Sequence, residues 1–152
     1  MAGSQHDTPA VTARLDDFLC FSIYAAEHAF SRAYKPLLAD IRLTYPQYLV
    51  MTVLWEEDDQ SVGQLGTKLS LESSTLTPLL KRMEADGLLS RHRDKQDERV
   101  VRVKLTEPGD KLRERAAKIP ACILGATGMS LEELGRLRDQ ITQLTQRLVE
   151  AS

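Results

Sequence analysis

The chain has 152 residues, of which 42% are hydrophobic and 28% are charged, and its formal net charge is −2. This length suits one compact domain, and no apolar run approaches the roughly 20 residues that a membrane-spanning helix needs, so we expect no membrane role. Two cysteines far apart in the sequence and three histidines do not form a zinc-ligand pattern, and we expect no metal and no other cofactor.

The N-terminal segment is polar and lacks the basic and apolar regions of a signal peptide. We expect residues 1–12 to be a flexible arm. We also expect the protein to stay in the cytoplasm, where cysteines normally remain reduced.

The first long helix is predicted from Leu15 to about Leu38, because apolar residues recur there at helical spacing. Pro36 is expected to bend or end this helix, since proline cannot donate the backbone hydrogen bond. The helix carries Cys20, and a phenol that donates a hydrogen bond to a thiolate favours the reactive form of sulfur. The phenols that could do so are Tyr24, Tyr34 and Tyr45. The residues alone leave a plainer interpretation open, in which the thiol and the rings are ordinary core side chains.

Two shorter helices are predicted next. Pro46 opens the first of them, which continues to Trp55. Ser61 and Gln64 fit a capping box at the start of the second, where each side chain accepts a hydrogen bond from the other's backbone.

A fourth helix is predicted over ESSTLTPLLKRMEADG, with Gly87 as its C-terminal cap. Apolar residues at the i, i+3, i+4, i+7 spacing form one stripe, which we expect to be buried: Leu76, Leu79, Leu80 and Met83. The other face is small, polar and basic, and it is the candidate surface for contacting base edges and phosphates. Its candidate DNA-binding residues are Ser73, Ser74, Thr75, Thr77, Pro78, Lys81 and Arg82.

A β-hairpin is predicted from the runs LLSRHR and VVRVKL, which a polar turn from Asp94 to Glu98 separates. Alternation in the second run gives the hairpin one basic face. From Lys81 to Lys104 there are eight basic residues against five acidic ones, a local excess that the acidic chain as a whole conceals. We interpret Asp97 as orienting Arg99. The candidate DNA-binding residues here are Arg91, Arg93, Asp97 and Arg99.

The C-terminal region is predicted to be helical. Thr106 caps a helix that Pro120 should kink two residues before Cys122, and Ser130 with Glu133 forms a capping box for the last helix. A heptad-like seam then follows: Leu134, Leu137, Ile141, Leu144 and Leu148. A chain this short cannot cover both this seam and the apolar first helix, so we expect a homodimer held mainly by the terminal helices.

The order of these elements predicts a mainly α fold with a small β-ribbon. Two short helices, a basic helix and a hairpin with a charged turn describe a winged helix-turn-helix, which places a helix in the major groove of DNA. The wing would carry cations to an adjacent minor groove, whose negative potential attracts arginine. The pattern alone leaves open a solvated helix and hairpin in an unrelated α+β domain.

The segment VGQLGTKLSLESSTLTPLLKRMEADGLLSRHRDKQDERVVRVKLTEPGDKL strongly resembles the MarR family of dimeric winged-helix regulators. The resemblance implies that LESSTLTPLLKRME is the recognition helix and that DERVVRVKLT forms the wing and its returning strand. It also implies one domain over residues 1–152, with a DNA-binding lobe at about 46–105 and dimerisation helices at about 13–40 and 106–152. The implied partner is double-stranded DNA with a pseudo-palindromic operator.

The segments FLCFSIY and AYKPLLADIRLTYPQY are similar to the organic-hydroperoxide-sensing branch of that family, the OhrR type. This similarity implies that Cys20 is the oxidised thiol and that Tyr34 and Tyr45 donate to it across the dimer, with Tyr24 lining the same pocket. Cys122 implies the two-cysteine form of these sensors, in which a sulfenic acid at Cys20 condenses with Cys122 of the partner subunit. The apolar side chains near Cys20 would suit organic peroxides better than hydrogen peroxide.

Two alternative functions remain open from the sequence. A MarR-type regulator could respond to reversible binding of a small aromatic ligand, with both cysteines incidental. A thiol peroxidase would turn over many times per thiol with a reductant, whereas a sensor needs one oxidation per dimer. We expect a regulator and not an enzyme.

Overall fold

The computed structural model describes residues 13–152, and the arm predicted for residues 1–12 lies outside the described residues. The chain divides into two compact units, one ending at Arg32 and the other extending from Ala33 to Ser152. In the part of the chain that is described, no helix is both long enough and apolar enough to cross a membrane.

Helices dominate the described chain, and a small sheet lies in the second unit. In chain order the elements are a 3-10 turn at Leu15–Asp17, α1 Leu19–Asp40, α2 Tyr45–Glu56, β1 Gln60–Ser61, α3 Val62–Leu69, α4 Ser73–Ala85, β2 Leu89–Arg93, β3 Val101–Leu105, α5 Glu107–Ala116, α6 Ile119–Thr127 and α7 Leu131–Glu150. The predicted mainly α fold with a small β-ribbon is confirmed.

The first helix differs from its prediction at both ends. A 3-10 turn precedes it, so α1 begins at Leu19, and it continues beyond Pro36 to Asp40. The expectation that Pro36 could end the helix is therefore wrong. A proline already has a helical φ and removes only one hydrogen bond, and the burial of Leu38 in the core stabilises the turn that follows it.

The helix predicted from Thr106 through Cys122 is two helices. Ala117 and Lys118 separate α5 from α6, and Pro120 occupies the first turn of α6. A proline in a first turn lacks an N–H that would have no intrahelical partner anyway, so this position favours starting a helix. Pro120 thus lies in the first turn of a new helix, α6, and does not kink a continuous one.

The predicted caps are present. Ser61 accepts from the Gln64 backbone at 3.0 Å and Gln64 accepts from the Ser61 backbone at 2.8 Å. The same reciprocal pair joins Ser130 and Glu133, at 3.1 and 2.7 Å. Gly87 ends α4 with a positive φ of 77°, which only glycine adopts without strain.

The sheet has three antiparallel strands in the order β1-β3-β2. The predicted hairpin supplies β2 and β3, with His92 opposite Arg102. Sequence analysis missed β1, because two residues are too few to show alternation. Its Gln60 pairs with Val103, and this pairing attaches the hairpin to the α2–α3 connection.

The core lies among α2, α3, α4 and the inner face of the sheet. The apolar stripe predicted for α4 is buried: Leu76, Leu79, Leu80 and Met83. By contrast, Leu19 on α1 is 59% exposed and Leu148 on α7 is 60% exposed. Within residues 13–152, the terminal helices therefore carry apolar side chains that remain exposed.

Close packing fixes where α5 meets Leu88, the residue before β2. A methyl group built on Gly109 would lie 1.9 Å from the Leu88 carbonyl oxygen. That same oxygen accepts a hydrogen bond from the Thr106 backbone at 3.1 Å. The Gly109 carbonyl in turn accepts from the indole Nε1 of Trp55 at 3.0 Å. Only a residue without a side chain fits this contact.

Candidate functional site

The recognition helix candidate is α4, which follows α3 after a tight turn. Ser70 adopts a left-handed conformation there, and the Leu71 backbone donates to the Gly66 carbonyl at 3.0 Å. Because the apolar stripe of α4 is buried, the opposite face of this helix is exposed to solvent. Most of the predicted contacts are exposed, and Thr77 is half-buried: Ser73, Ser74, Thr75, Thr77, Pro78, Lys81 and Arg82.

The wing candidate is the turn between β2 and β3. The Asp94 carboxylate accepts from the backbone N–H groups of Gln96 and Asp97, at 2.7 and 3.2 Å. Asp97 holds the guanidinium of Arg99, with Nε to Oδ1 at 3.1 Å and Nη2 to Oδ2 at 3.3 Å. The Arg99 side chain is 90% exposed. A guanidinium that is held by one carboxylate and remains exposed to solvent suits insertion into a narrow groove.

Asp97 is held ionised by the same contacts. Hydrogen bonds from the Arg99 side chain and backbone lower the pKa of Asp97 below its ordinary value. The interpretation that Asp97 orients Arg99 agrees with this geometry.

Arg91 and Arg93 are less free than Arg99. Arg91 Nη2 lies 3.2 Å from Glu84 Oε1, and the Arg91 backbone donates to Glu84 Oε2 at 2.8 Å. That backbone hydrogen bond is the main reason that the pKa of Glu84 is lowered. Arg93 donates to the Glu98 carbonyl at 2.8 Å. Both arginines therefore support the wing, and their contacts with DNA stay predictions.

Sequence analysis missed Arg102 as a site residue. On β3 its guanidinium contacts Asp59 and Asp94, and His92 Nε2 lies 3.9 Å from the Asp59 carboxylate. Alternation along VVRVKL placed Arg102 on the basic face beside Lys104. Nothing local to the strand, however, indicated that carboxylates from two other segments surround it.

Both thiols are free and exposed in the described chain. Cys20 is the second residue of α1, and Cys122 is the fourth residue of α6. Tyr24 is 61% exposed, and its ring lies against that of His28 at a tilt of 46°, with centroids 4.1 Å apart. The hydrogen bonds expected between Cys20 and the phenols, and the disulfide with Cys122, stay predictions.

Tyr34 and Tyr45 lie together, with ring centroids 5.0 Å apart. Tyr48, which sequence analysis did not single out, lies 6.0 Å from Tyr34 and 6.4 Å from Trp55. Burial, with the nearby phenols adding to it, raises the pKa of Tyr34 above its ordinary value. Tyr34 thus keeps its proton at neutral pH and remains a hydrogen-bond donor, which a partner for a thiolate must be.

A cleft of about 390 Å³ lies between the recognition helix and the wing. Its lining includes apolar Val62 and Leu80 as well as Thr77, Arg91 and Arg99. Among residues 13–152 there is no cluster of histidine, cysteine and carboxylate side chains that could hold a metal ion. The described chain also presents two exposed thiols and a cluster of phenols.

A helix-turn-helix followed by a β-hairpin wing defines a winged-helix protein of the kind that regulates transcription. Residues 32–116 match the family model described as transcriptional regulator SarA/Rot. The chain is 51% identical over 134 residues to the HTH-type transcriptional regulator TtmR of Methylorubrum extorquens (strain PA1), covering 88% of this chain and 69% of that protein. The protein belongs to the MarR family of winged-helix transcriptional regulators.

Two further similarities concern redox regulation. The chain is 44% identical over 135 residues to the organic hydroperoxide resistance transcriptional regulator of Bacillus subtilis (strain 168), covering 89% of this chain and 92% of that protein. It resembles reduced AbfR bound to DNA, with a TM-score of 0.76, 34% identity and coverage of 90% and 96%. AbfR is a protein of Staphylococcus epidermidis, and its structure has also been solved with a disulfide formed. This chain matches that structure with a TM-score of 0.60 and 33% identity, covering 87% of this chain and 93% of that one.

Proposed function

We propose that the protein is a cytoplasmic, homodimeric DNA-binding repressor that releases its operator when an organic hydroperoxide oxidises Cys20. The observation that carries this proposal is the similarity to the Bacillus regulator over nearly the whole of both chains. The free, exposed thiol at the start of α1 supports it, because a sensing thiol must be accessible to its oxidant.

The exposed apolar side chains of the terminal helices support the proposal of a dimer. The seam on α7 leaves Leu137, Ile141 and Leu148 exposed, and apolar side chains of α1 are exposed as well. Exposed apolar patches of this kind mark interaction surfaces. A second copy that covers both helices would bury them and would present two recognition helices to a pseudo-palindromic operator.

Oxidation would proceed in two steps. The Cys20 thiolate attacks the terminal oxygen of the hydroperoxide, the O–O bond breaks, and the sulfenic acid forms as an alkoxide leaves. The alkoxide becomes the alcohol by taking up a proton, which balances the one that the thiol lost on ionisation. The thiol of Cys122 of the partner subunit then attacks the sulfenic sulfur, forming a disulfide and releasing water. Operator binding changes only if the reduced and oxidised dimers prefer different spacings of the winged lobes.

The apolar neighbours of Cys20 support the choice of oxidant. Phe18, Phe21 and Ile23 are all partly accessible to solvent. Such side chains favour the apolar body of an organic hydroperoxide over hydrogen peroxide, which offers nothing to bury.

A second candidate is a regulator that a small aromatic ligand controls without covalent chemistry. The cleft beside Thr77 is the observation in its favour, because an apolar lining with two arginines would suit an aromatic carboxylate. Release of the operator by an aromatic carboxylate, without peroxide and in a protein without Cys20, would favour this candidate. A thiol peroxidase would instead consume many equivalents of peroxide per thiol.

Cys122→Ser is expected to remove the covalent dimer while leaving the first oxidation intact. Without the second thiol, the sulfenic acid at Cys20 has no partner for condensation, so it persists and reacts with a sulfenate-specific probe. The measurement is a non-reducing gel, with and without cumene hydroperoxide, combined with intact-mass analysis. A wild-type protein that stays monomeric on this gel and bound to DNA after peroxide would rule out the two-cysteine mechanism.

Arg99→Ala is expected to weaken operator binding by about 1 to 3 kcal/mol, because it removes a guanidinium already aimed outward by Asp97. Lys81→Ala serves as the comparison. Loss of a phosphate contact there should weaken binding to all duplexes and lower the salt slope by about 1. Fluorescence anisotropy at several salt concentrations separates the two effects. Unchanged affinity of the Arg99 variant at physiological salt would remove the wing from the proposed interface.

A further inference from the structure

Arg102 lies on the central strand of the sheet, at the base of the wing. Its side chain is only 28% exposed, whereas Lys104, two residues further along the same strand, is exposed. The two cations therefore differ in environment although they share one face of β3.

The guanidinium of Arg102 joins two segments that are distant in sequence. Its Nε donates to Asp59 Oδ1 at 3.0 Å, and its Nη2 donates to the Asp59 backbone carbonyl. Its Nη1 donates to Asp94 Oδ2 at 3.5 Å. Asp59 precedes β1, and Asp94 begins the wing turn. One side chain thus connects the body of the domain to the wing.

The connection continues from Asp94 to the tip of the wing. The other carboxylate oxygen of Asp94 accepts the backbone N–H groups of Gln96 and Asp97, and Asp97 holds Arg99. These contacts form an unbroken series from the α2–β1 connection to the exposed guanidinium. Movement at Arg102 would therefore move the residue that we expect to reach DNA.

Arg102 is poorly placed to contact DNA itself. Two carboxylates and a carbonyl already occupy its donors, and most of its side chain is covered. The hydrogen bonds from Gln96 and Asp97, followed by the nearby Arg102 charge, lower the pKa of Asp94, so this partner stays ionised at neutral pH. A guanidinium whose donors are taken by two carboxylates has little left to offer a phosphate.

We propose that Arg102 is a positioning residue that fixes the wing on the domain body, so that Arg99 is presented to the operator in one orientation. This inference rests on the proposed function as a DNA-binding repressor. On this proposal, the contribution of Arg99 to DNA affinity depends on the contacts of Arg102 with Asp59 and Asp94, which are formed entirely within the protein.

The first test is a double-mutant cycle between Arg102→Gln and Arg99→Ala, with Lys104→Gln as a control that removes the same charge from the same strand. The DNA is a pseudo-palindromic duplex selected from random sequences by the wild-type protein. Arg99→Ala should reduce affinity roughly 5- to 100-fold in the wild-type and Lys104→Gln backgrounds. In the Arg102→Gln background the same change should have little effect, because the arginine is no longer positioned. An equal loss in all three backgrounds would overturn the proposal.

The second test uses Asp94→Asn. The loss of charge and the loss of wing positioning are expected to change DNA affinity in opposite directions. Removing a negative charge near DNA should strengthen binding to any duplex. Loss of the ionic contact with Arg102 should weaken binding to the selected operator relative to a scrambled duplex of the same length. A parallel increase for both duplexes would contradict the positioning role.

A third measurement needs no DNA, so it separates failure of this inference from failure of the proposed function. Hydrogen exchange at the amides of Gln96 and Asp97 should accelerate in Arg102→Gln and stay unchanged in Lys104→Gln. Arg102→Lys, which keeps the charge but cannot bridge two carboxylates in the same geometry, should also accelerate exchange, and it replaces Arg102→Gln if that variant fails to fold. If exchange in the Arg102 variant is unchanged, the fixed wing is refuted. If exchange is faster in the Arg102 variant but the wild-type protein does not bind an operator, only the DNA-binding function is refuted.

Discussion

Replacing Cys20 with serine is expected to preserve operator binding and to abolish its loss on treatment with organic hydroperoxide. In the wild type, oxidation should lower operator affinity to that for unrelated DNA, roughly a thousandfold or more. The serine hydroxyl is not ionised at neutral pH and does not reduce a peroxide, so no sulfenic acid forms. Because Cys20 is exposed, the exchange of sulfur for oxygen disturbs little packing. Fluorescence anisotropy before and after cumene hydroperoxide measures the effect.

Cys122→Ser provides the matched control for this prediction. Both variants lose one exposed thiol, but only the change at Cys20 removes the atom that we expect to react first. Cys122→Ser should still be oxidised by peroxide, whereas Cys20→Ser should not. If the Cys20 variant releases its operator on treatment with peroxide, then another group senses the oxidant and Cys20 is not the sensing thiol.

Gly109→Ala is expected to destabilise the fold by roughly 3 to 5 kcal/mol, because overpacking here also disrupts hydrogen bonds. The new methyl group would meet the Leu88 carbonyl at 1.9 Å, so α5 and the segment before β2 must separate. Separation would weaken the hydrogen bond from Thr106 to Leu88 and the one from Trp55 to Gly109. In a domain of this size the melting temperature should fall by about 10 °C, as thermal unfolding followed by circular dichroism would measure.

Gly125→Ala is the control for this second prediction. Gly125 lies in α6 with open space where its methyl group would be, so alanine should stabilise the protein by about 0.5 to 1 kcal/mol through helix propensity. The two substitutions therefore have opposite expected signs. A melting temperature for Gly109→Ala equal to that of the wild type would show that the contact with Leu88 relaxes at no cost.

Local interactions explain what could be predicted from the sequence alone. The capping boxes at Ser61 and Ser130, the Gly87 cap and the buried stripe of α4 each depend on residues three or four positions apart. The hairpin depends on alternation within a single run of residues. Helical and strand geometry alone determine such contacts, so their residue patterns indicate the elements and their order. The same patterns made the winged helix-turn-helix the preferred fold, and the resemblance to a known family identified its branch.

Only the tertiary structure decided which side chains meet across the domain. The Arg102–Asp59 contact joins residues that are 43 positions apart, and the clustering of Tyr48 with Tyr34 depends on how α2 packs against the end of α1. The division between α5 and α6 and the short β1 likewise arise from packing and pairing with distant segments. A periodic pattern specifies which face of an element is buried but not which residue of another element lies against it. Packing of the complete core selects that partner, and it placed Arg102 between two carboxylates and left no room beside Gly109.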